Sequence, residues 1–272
     1  NFEEMASKYG KTGGFAYIKS VLNSLRESAG GVQNTITLDG GDTWQGSGTS
    51  LWTRGKDMIE ACNLLGVDVM VGHWEFTYKE NEVLDNIGFF KGDFLGQNVK
   101  IMEDAFFDDK YTKMTEKYDG RGLFNEDENQ AFKPYVMKNV GGHKIAVIGQ
   151  AFPRTSNANP KKYFFPDWSF GLREEEMSEL VAEIRKKEKP SAVIVVSHNG
   201  MDVDIKMASR ISGIDAIFGG HTHDGMPKPI EVKNASGVSI VTNAGCSGKY
   251  IGVMDLNIKN NKVSSYEYKM LP

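Results

Sequence analysis

Apolar residues along the chain follow two alternating periods. They recur at helical spacing over residues 15–25, 57–65, 80–90, 174–187 and 202–211. Short aliphatic and β-branched runs typical of buried strands lie between these segments, at 35–38, 67–71, 144–149, 192–196 and 216–218. Because helices and strands succeed one another, the pattern predicts a single α/β domain with a mixed, partly antiparallel sheet system.

Three other stretches refine this prediction. Gly141-Gly142 lies between two strand-like runs and predicts a hairpin, and beyond residue 231 short strands are joined by turns. Residues 103–131 are rich in acidic, basic and aromatic residues with weak periodicity, which predicts a surface insertion; an ordinary solvated loop would have the same composition. Without a repeat or a Pro-rich linker, we treat residues 1–272 as one domain.

Composition excludes several classes of protein. The chain has 272 residues, 40% hydrophobic and 25% charged, with a net charge of −4. Such a balance provides no broad basic field for nucleic acid or an anionic membrane, and no apolar run approaches the ~20 residues that span a bilayer. Cys62 and Cys246 are far apart, so neither their pairing nor the compartment follows from them. Since the chain opens at Asn1 without Met or a visible signal peptide, we expect a fragment or a processed product.

Four glycine- or serine-flanked motifs follow strand-like runs and carry the candidate chemistry. They are Asp39-Gly40-Gly41-Asp42, Gly72-His73-Trp74-Glu75, Ser197-His198-Asn199-Gly200 and Gly219-Gly220-His221-Thr222-His223. Loops at the carboxyl ends of strands converge in α/β proteins, and histidine and aspartate are common metal ligands. We therefore predict a catalytic metal site built from Asp42, His73, His198 and His221. His143 lacks this context and is expected at the surface.

The spacing of His221 and His223 predicts a second metal. Residues two apart on an extended strand end point to the same side, so this pair could contact neighbouring metals. One carboxylate can bridge two cations ~3.5–4 Å apart, and Asp42 is the natural candidate.

In order and approximate spacing these motifs resemble the calcineurin-like metallophosphoesterases of the 5′-nucleotidase branch, over nearly the whole chain. The resemblance implies a four-layer α/β/β/α sandwich with two mixed β-sheets and two metal ions. It implies that Asp42 bridges the metals, that His198 and His221 bind one metal and that His223 binds the other. His73 stands at the family's usual Asn ligand, and the implied catalytic residues are Asp42, His73 and His221.

The chain departs from the family pattern at two places. No Asp-x-His ligand pair precedes residue 38, so either the chain begins after the family's first strand or the site is incomplete; we favour the former. Trp74 replaces the usual motif histidine, and Thr77 replaces the aspartate that supports it. Because tryptophan cannot protonate a leaving group, we expect a leaving group that is already stable as an anion.

Four longer motifs resemble the SoxB-type thiosulfohydrolases of bacterial sulfur oxidation. They are Asp39-Gly-Gly-Asp-Thr-Trp-Gln-Gly-Ser47, Trp52-Thr-Arg-Gly55, Gly72-His-Trp-Glu-Phe-Thr-Tyr78 and Pro153-Arg-Thr-Ser-Asn-Ala-Asn159. This resemblance implies a periplasmic enzyme with two Mn²⁺ ions, while Zn²⁺ and Fe²⁺ stay open. It implies that hydroxide held by the metals releases sulfate from a cysteine-bound thiosulfonate on a SoxYZ-like sulfur-carrier protein.

Three further residues are predicted to bind substrate. Trp74 and Tyr78 would shape a slot beside the metals, and Arg154 would meet the anionic group. Core packing is the alternative for Trp74, and an ordinary surface position is the alternative for Arg154. Glu75 is expected to be a structural hydrogen-bond partner rather than a base.

Two other functions fit the same residues. One is a 5′-nucleotidase or cyclic-nucleotide phosphodiesterase on the same fold, which would also use a C-terminal domain. The other is a non-catalytic metal-binding or carrier-docking module, with the insertion at 103–131 as its docking surface.

Overall fold

The computed structural model describes residues 13–105 and 129–272, so most of the predicted insertion at 103–131 lies outside the described residues. The α-helices are α1 Phe15–Ser28, α2 Gly48–Thr53, α3 Lys56–Leu65, α4 Glu80–Phe89, α5 Thr155–Ala158, α6 Lys161–Phe164, α7 Glu174–Lys187 and α8 Met201–Arg210. The strands are β1 Leu38–Asp39, β2 Val69–Met70, β3 Asp93–Phe94, β4 Val99–Ile101, β5 Tyr135–Val140, β6 His143–Gln150, β7 Trp168–Phe170, β8 Ala192–Ser197, β9 Ala216–Gly219, β10 Ile230–Asn234, β11 Gly237–Asn243, β12 Ile251–Lys259 and β13 Lys262–Leu271.

Two sheets form the frame of the molecule. The larger has the order β10-β11-β9-β8-β6-β5, in which the four inner strands are parallel and both edge strands are antiparallel. The smaller has the order β1-β2-β3 and is parallel throughout. The predicted mixed α/β class with several sheets is confirmed, but only the larger of these two sheets is itself mixed.

Alternation along the strands separates the core into three layers. On β2, Met70 faces the apolar cluster beneath α1, α3 and α4, whereas Val69 and Val71 face the larger sheet. On β8, Val193 and Val195 pack beneath α7 and α8, while the residues between them face the smaller sheet. Because the strand period is two, each sheet is buried on both faces, and the layers run helix, sheet, sheet, helix.

Most predicted elements occur within a residue or two of their expected bounds. The helix predicted at 174–187 spans those residues, and α3 ends at Gly66 with a φ of 70°. The strand predicted at 35–38 is wrong in extent, because the Thr37 amide donates to the Asp68 carboxylate rather than to a strand partner. The short helix α2 was not predicted; Ser47 begins it by accepting from the amide of Ser50.

The carboxyl ends of both sheets deliver the candidate motifs to one edge of the molecule. Ser197, at the end of β8, pairs with Gln150 of β6 and with Gly219 of β9, so these three strands end level with one another. The short parallel pair of β1 and β2 ends at Asp39 and Met70. Among the described residues, no helix is long and apolar enough to cross a membrane.

Candidate metal centre

Side chains from four separate loops meet where the strands end. The candidate ligand atoms of Asp42, His73, His198 and His221 all lie within 4.8 Å of one another. His73 Nδ1 is 3.0 Å from Asp42 Oδ1, and His198 Nε2 is 3.1 Å from Asp42 Oδ2. His73 and His198 are buried, at 3% and 1% exposure. The arrangement is therefore a compact pair of buried imidazoles around one carboxylate, with a third imidazole beside them.

The orientation of the His198 ring is fixed by a backbone contact on the side away from Asp42. Its Nδ1 contacts the carbonyl oxygen of Gly40, which can only accept, so Nδ1 carries a proton and Nε2 is the ring nitrogen that faces Asp42. Backbone carbonyls commonly orient metal-binding histidines in this way. His198 is thus presented as a ligand before any cation is considered.

Three candidate ligands adopt backbone conformations that non-glycine residues rarely take. The φ angles are 65° at Asp42, 70° at His221 and 59° at His223. Left-handed backbone costs of order 1 kcal/mol or more at such residues and persists where the surrounding structure imposes it. Three of these residues in one cluster indicate a site under functional constraint.

The extended-strand argument for His221 and His223 is wrong. Strand β9 ends at Gly219, and the amide of Thr222 donates back to the carbonyl of Gly220 in a turn. The turn still brings both histidines toward one carboxylate, because His223 Nε2 lies 3.9 Å from Asp42 Oδ2. His223 is 56% exposed, so it lies on the open side of the buried group.

Glu75 holds the loops that carry two of the ligands. Its side chain is fully buried, and Oε1 accepts from the amides of Thr43 and Trp44 at 2.7 and 3.1 Å. Oε2 accepts from the amides of His73 and Asp42 at 2.8 and 3.3 Å. With both oxygens occupied by backbone donors, Glu75 is a structural partner rather than a base, as predicted.

The electrostatics of the centre favour the cation-binding forms of Asp42 and His221. Burial would raise the pKa of Asp42, but the hydrogen bonds with His198 and His73 outweigh it and hold that pKa far below its usual range. Burial and the neighbouring histidines lower the pKa of His221 to about 4. Burial would also lower the pKa of His198, yet its contacts with Asp42 raise it. At neutral pH, Asp42 is therefore anionic and His221 neutral, as metal ligands must be.

The donor set fits a divalent cation. Imidazole nitrogens with a carboxylate oxygen suit manganese, iron or zinc, and the pairwise distances allow the atoms to converge on one ion. His223 extends the set on the exposed side of Asp42.

The three residues predicted to bind substrate differ in their exposure and in their position relative to the metal centre. Trp74 is 40% exposed, its amide donates to Asp42 Oδ1 at 3.0 Å, and its ring centroid is 5.4 Å from that of His73. Core packing is therefore excluded for Trp74.

Tyr78 departs from the prediction of a slot-lining residue, because it is only 8% exposed. Its hydroxyl donates to the carbonyls of Trp44 and Ser50 and so holds the loop that contains them. Arg154 is exposed at the start of α5, so a role toward substrate stays a prediction. His143 is exposed, as predicted.

Sequence reasoning missed Phe152. Its ring centroid lies 4.1 Å from that of His73 and 4.2 Å from that of His221, and its amide donates to the carbonyl of Gly72. Phe152 follows the end of β6, in the same position relative to its strand as the ligand motifs. This position after a strand could have marked Phe152 as a residue of the site. It was missed because an apolar side chain is neither a metal ligand nor a catalytic group.

We expect Phe152→Ala to weaken Mn²⁺ binding about 10-fold, because the apolar shell around a metal site orients its ligands and limits water access. Isothermal titration calorimetry of the metal-free protein measures this directly. Phe152→Leu is the matched control, since it keeps apolar contact with both rings and should stay close to wild type. Equal affinities for Phe152→Ala and wild type would contradict the role assigned to the ring.

Comparison with solved structures shows which fold the chain has. No family model matches the chain. Its fold is that of the calcineurin-like metallophosphoesterases and of the 5′-nucleotidases within them. The calcineurin-like phosphoesterase YfkN of Bacillus subtilis aligns over 96% of this chain and 82% of that structure, at TM-score 0.72 and 19% identity. The 5′-nucleotidase precursor of Thermus thermophilus aligns over 96% of this chain and 49% of its own, at TM-score 0.76 and 23% identity.

Three individual proteins are similar to this chain in sequence. The sulfate thiohydrolase SoxB of Thermus thermophilus aligns over 100% of this chain and 45% of its own, with 33% identity and TM-score 0.81. The apyrase of Tabanus yao is 29% identical over 93% of this chain and 44% of its own. The 5′-nucleotidase of Rattus norvegicus is 26% identical over 93% of this chain and 43% of its own. The chain thus spans a little under half the length of these relatives.

Proposed function

We propose that this chain is the catalytic domain of a two-metal hydrolase. The single observation that carries the proposal is the meeting of Asp42, His73, His198 and His221 within 4.8 Å, on loops from both sheets. A lone structural histidine would not need left-handed backbone at Asp42, His221 and His223 on two ligand-bearing loops. Similarity to an apyrase, a 5′-nucleotidase and a sulfate thiohydrolase supports hydrolysis as the reaction.

Each residue has a distinct task in this proposal. Asp42 faces His73 and His198 with different oxygens, which suits a bridging carboxylate. His198 and His221 would hold one cation, and His223 would approach the other. His73 would lie beside Asp42, the ligand that the two cations share. Bound cations would lower the pKa of water and neutralise charge on the oxyanion of the substrate. Glu75 and the Gly40 carbonyl keep these ligands in place, and Phe152 covers two imidazoles from one side.

The substrate we favour is a cysteine-bound thiosulfonate on a SoxYZ-like sulfur-carrier protein, from which sulfate is released. Support comes from Trp74, which lies at the rim of the centre and has no proton to give to a departing oxygen. A thiolate leaving group needs no such donor, whereas an alkoxide does. The 33% identity to the SoxB structure points the same way. Mn²⁺ as the metal and the periplasm as the compartment are parts of this proposal.

The second candidate is a nucleotide phosphoesterase. It is favoured by the curated relatives, which include an apyrase and 5′-nucleotidases at 25–29% identity. The proposals are separated by assaying the intact protein, loaded with Mn²⁺, for sulfate release from a thiosulfonate-loaded carrier and for phosphate release from nucleotides. Phosphate release alone would reject the sulfur substrate. Metal binding without either product would favour a non-catalytic module.

Replacing the indole tests the leaving-group argument. We expect Trp74→His to keep sulfate release within about 10-fold of wild type, because the thiolate leaves without protonation. Phosphate release from a nucleoside monophosphate should rise in the same variant, since a histidine at the rim can assist an alkoxide. Trp52→His, at an exposed tryptophan, is the control and should change neither rate. Loss of sulfate release in Trp74→His as severe as in a variant of Asp42 would undercut the argument.

A further inference from the structure

A buried carboxyl group lies behind the metal centre, outside the set of candidate ligands. Asp204 is the fourth residue of α8 and has 0% exposure. Its Oδ1 accepts from the hydroxyl of Ser197 at 2.6 Å and from the side-chain amide of Asn199 at 3.1 Å. These donors are the residues immediately before and after His198. One oxygen atom therefore restrains the chain on both sides of a candidate ligand.

The restraint on His198 continues into a chain of buried amides. The backbone amide of Asn199 donates to the Ser197 hydroxyl at 3.1 Å, which closes a tight loop around His198. The side-chain oxygen Oδ1 of Asn199 accepts from Gln150 Nε2 at 3.1 Å, and Gln150 Oε1 accepts from Gln97 Nε2 at 2.7 Å. The backbone amide of His198 donates to the Gln150 carbonyl. Each of these contacts limits how His198 can move relative to the sheet.

The second oxygen of Asp204 reaches the neighbouring strand end. Among the described residues Asp204 Oδ2 has no hydrogen-bond partner, although it is fully buried. A Cβ atom on Gly219 would lie 2.6 Å from it, so only glycine leaves room for this oxygen. Gly219 ends β9, two residues before His221. The carboxyl group is thus wedged between the strand ends that present His198 and His221.

Such a group is costly unless it has a task. Burial of a carboxyl group with one unpartnered oxygen destabilises the fold, and burial raises the pKa of Asp204 to about 7. A helix residue that only filled this space could be apolar.

We propose that Asp204 is a positioning residue of the metal centre, holding His198 in its ligand orientation through Ser197 and Asn199. The inference rests on the proposed metal-dependent function, but it concerns the shape of the site rather than the substrate. Among the described residues, the hydrogen bonds of the Asp204 side chain go to Ser197 and Asn199 and not to a candidate ligand. Its effect is transmitted through the two residues that flank His198.

Calorimetric titration of the metal-free chain with Mn²⁺ tests the proposal. Asp204→Ala should weaken Mn²⁺ binding about 10–100-fold, as loss of an outer-shell partner does. Asp204→Asn keeps the accepting oxygen and should stay within about threefold of wild type. Asp202→Ala removes an exposed acid from the same helix and should leave affinity unchanged. Val181→Ala, in the apolar layer beneath α7, should lower thermal stability without weakening Mn²⁺ binding.

Two outcomes would overturn the assignment. The first is wild-type affinity in Asp204→Ala, and the second is an equal loss in Val181→Ala, which would show that general loosening suffices. If Asp204→Ala does not fold, Ser197→Ala takes its place, because it removes one of the two donors and should weaken binding severalfold. Unchanged affinity in Ser197→Ala would then reject the proposal.

A readout without metal separates this inference from the proposed function. In the metal-free protein, the imidazole nitrogen signals of His198 in long-range ¹H–¹⁵N NMR spectra should shift in Asp204→Ala and stay in place in Asp204→Asn. Unmoved signals in Asp204→Ala would reject the positioning role even if Mn²⁺ binds. Failure of wild type to hydrolyse either substrate, with these signals behaving as expected, would reject only the proposed function.

Discussion

Replacing Asp42 by asparagine is expected to abolish hydrolysis, with a fall in rate of about 10³-fold or more. The substitution keeps the shape of the side chain but removes the negative charge that faces His73 and His198 with separate oxygens. It also leaves a neutral group where two cations are proposed to need a shared anion. Steady-state assay of product release, with calorimetric titration of Mn²⁺ on the same samples, measures both losses.

Two controls make the Asp42 result specific. Asp255→Asn removes an exposed carboxylate on β12 and should leave both measurements unchanged. Thermal unfolding of metal-free Asp42→Asn checks that the chain still folds. A variant that folds, binds Mn²⁺ as wild type does and still releases product would remove Asp42 from the centre.

Loss of Glu75 is expected to be the most destabilising change at the site. In Glu75→Ala the amides of Asp42, Thr43, Trp44 and His73 would lose the buried carboxylate that accepts from them, and the bonds from Trp44 and His73 are themselves buried. Since unsatisfied buried donors and broken charged hydrogen bonds each cost about 1–3 kcal/mol, we expect a loss of about 3–5 kcal/mol in the free energy of unfolding. Urea denaturation followed by circular dichroism measures this loss.

The glutamine variant sharpens the test of Glu75. Glu75→Gln preserves volume but turns one oxygen into a donor that faces two amide N–H groups, so a loss of about 1–3 kcal/mol is expected. Glu60→Gln, on the exposed side of α3, is the matched control. If Glu75→Gln unfolds at the same denaturant concentration as wild type, the carboxylate does not hold these loops.

The sequence was most informative where a local rule fixes the result. Glycine-flanked histidines after apolar runs predicted the convergence of loops, because parallel strands present their carboxyl ends at one edge. The helix at 174–187 followed from its apolar period alone. The length of the strand predicted at 35–38 could not be derived in this way. The Thr37 amide donates to the Asp68 side chain, and this contact joins segments that are distant in sequence.

The residues around the ligands show where prediction stopped. The turn at His221 depends on left-handed backbone that no spacing rule signals for a non-glycine residue. Phe152 contacts His73 and Asp204 contacts a neighbour of His198 from other parts of the chain, so neither has a signature in its own segment. Tyr78 was predicted to line a substrate slot, but its hydroxyl donates to the carbonyl of Trp44, a contact between distant segments that the sequence does not signal.

The origin of the ligands in two different sheets has a mechanical consequence. Asp42 and His73 come from the three-stranded sheet, whereas His198 and His221 come from the six-stranded sheet. A cation held by all four ligands would cross-link the three-stranded sheet to the six-stranded sheet at one edge of the sandwich. Its binding free energy would then add to the cohesion of the whole domain, by about 2.7 kcal/mol at a concentration 100 times the dissociation constant. The supply of metal would then set the stability of the fold as well as the chemistry of the site.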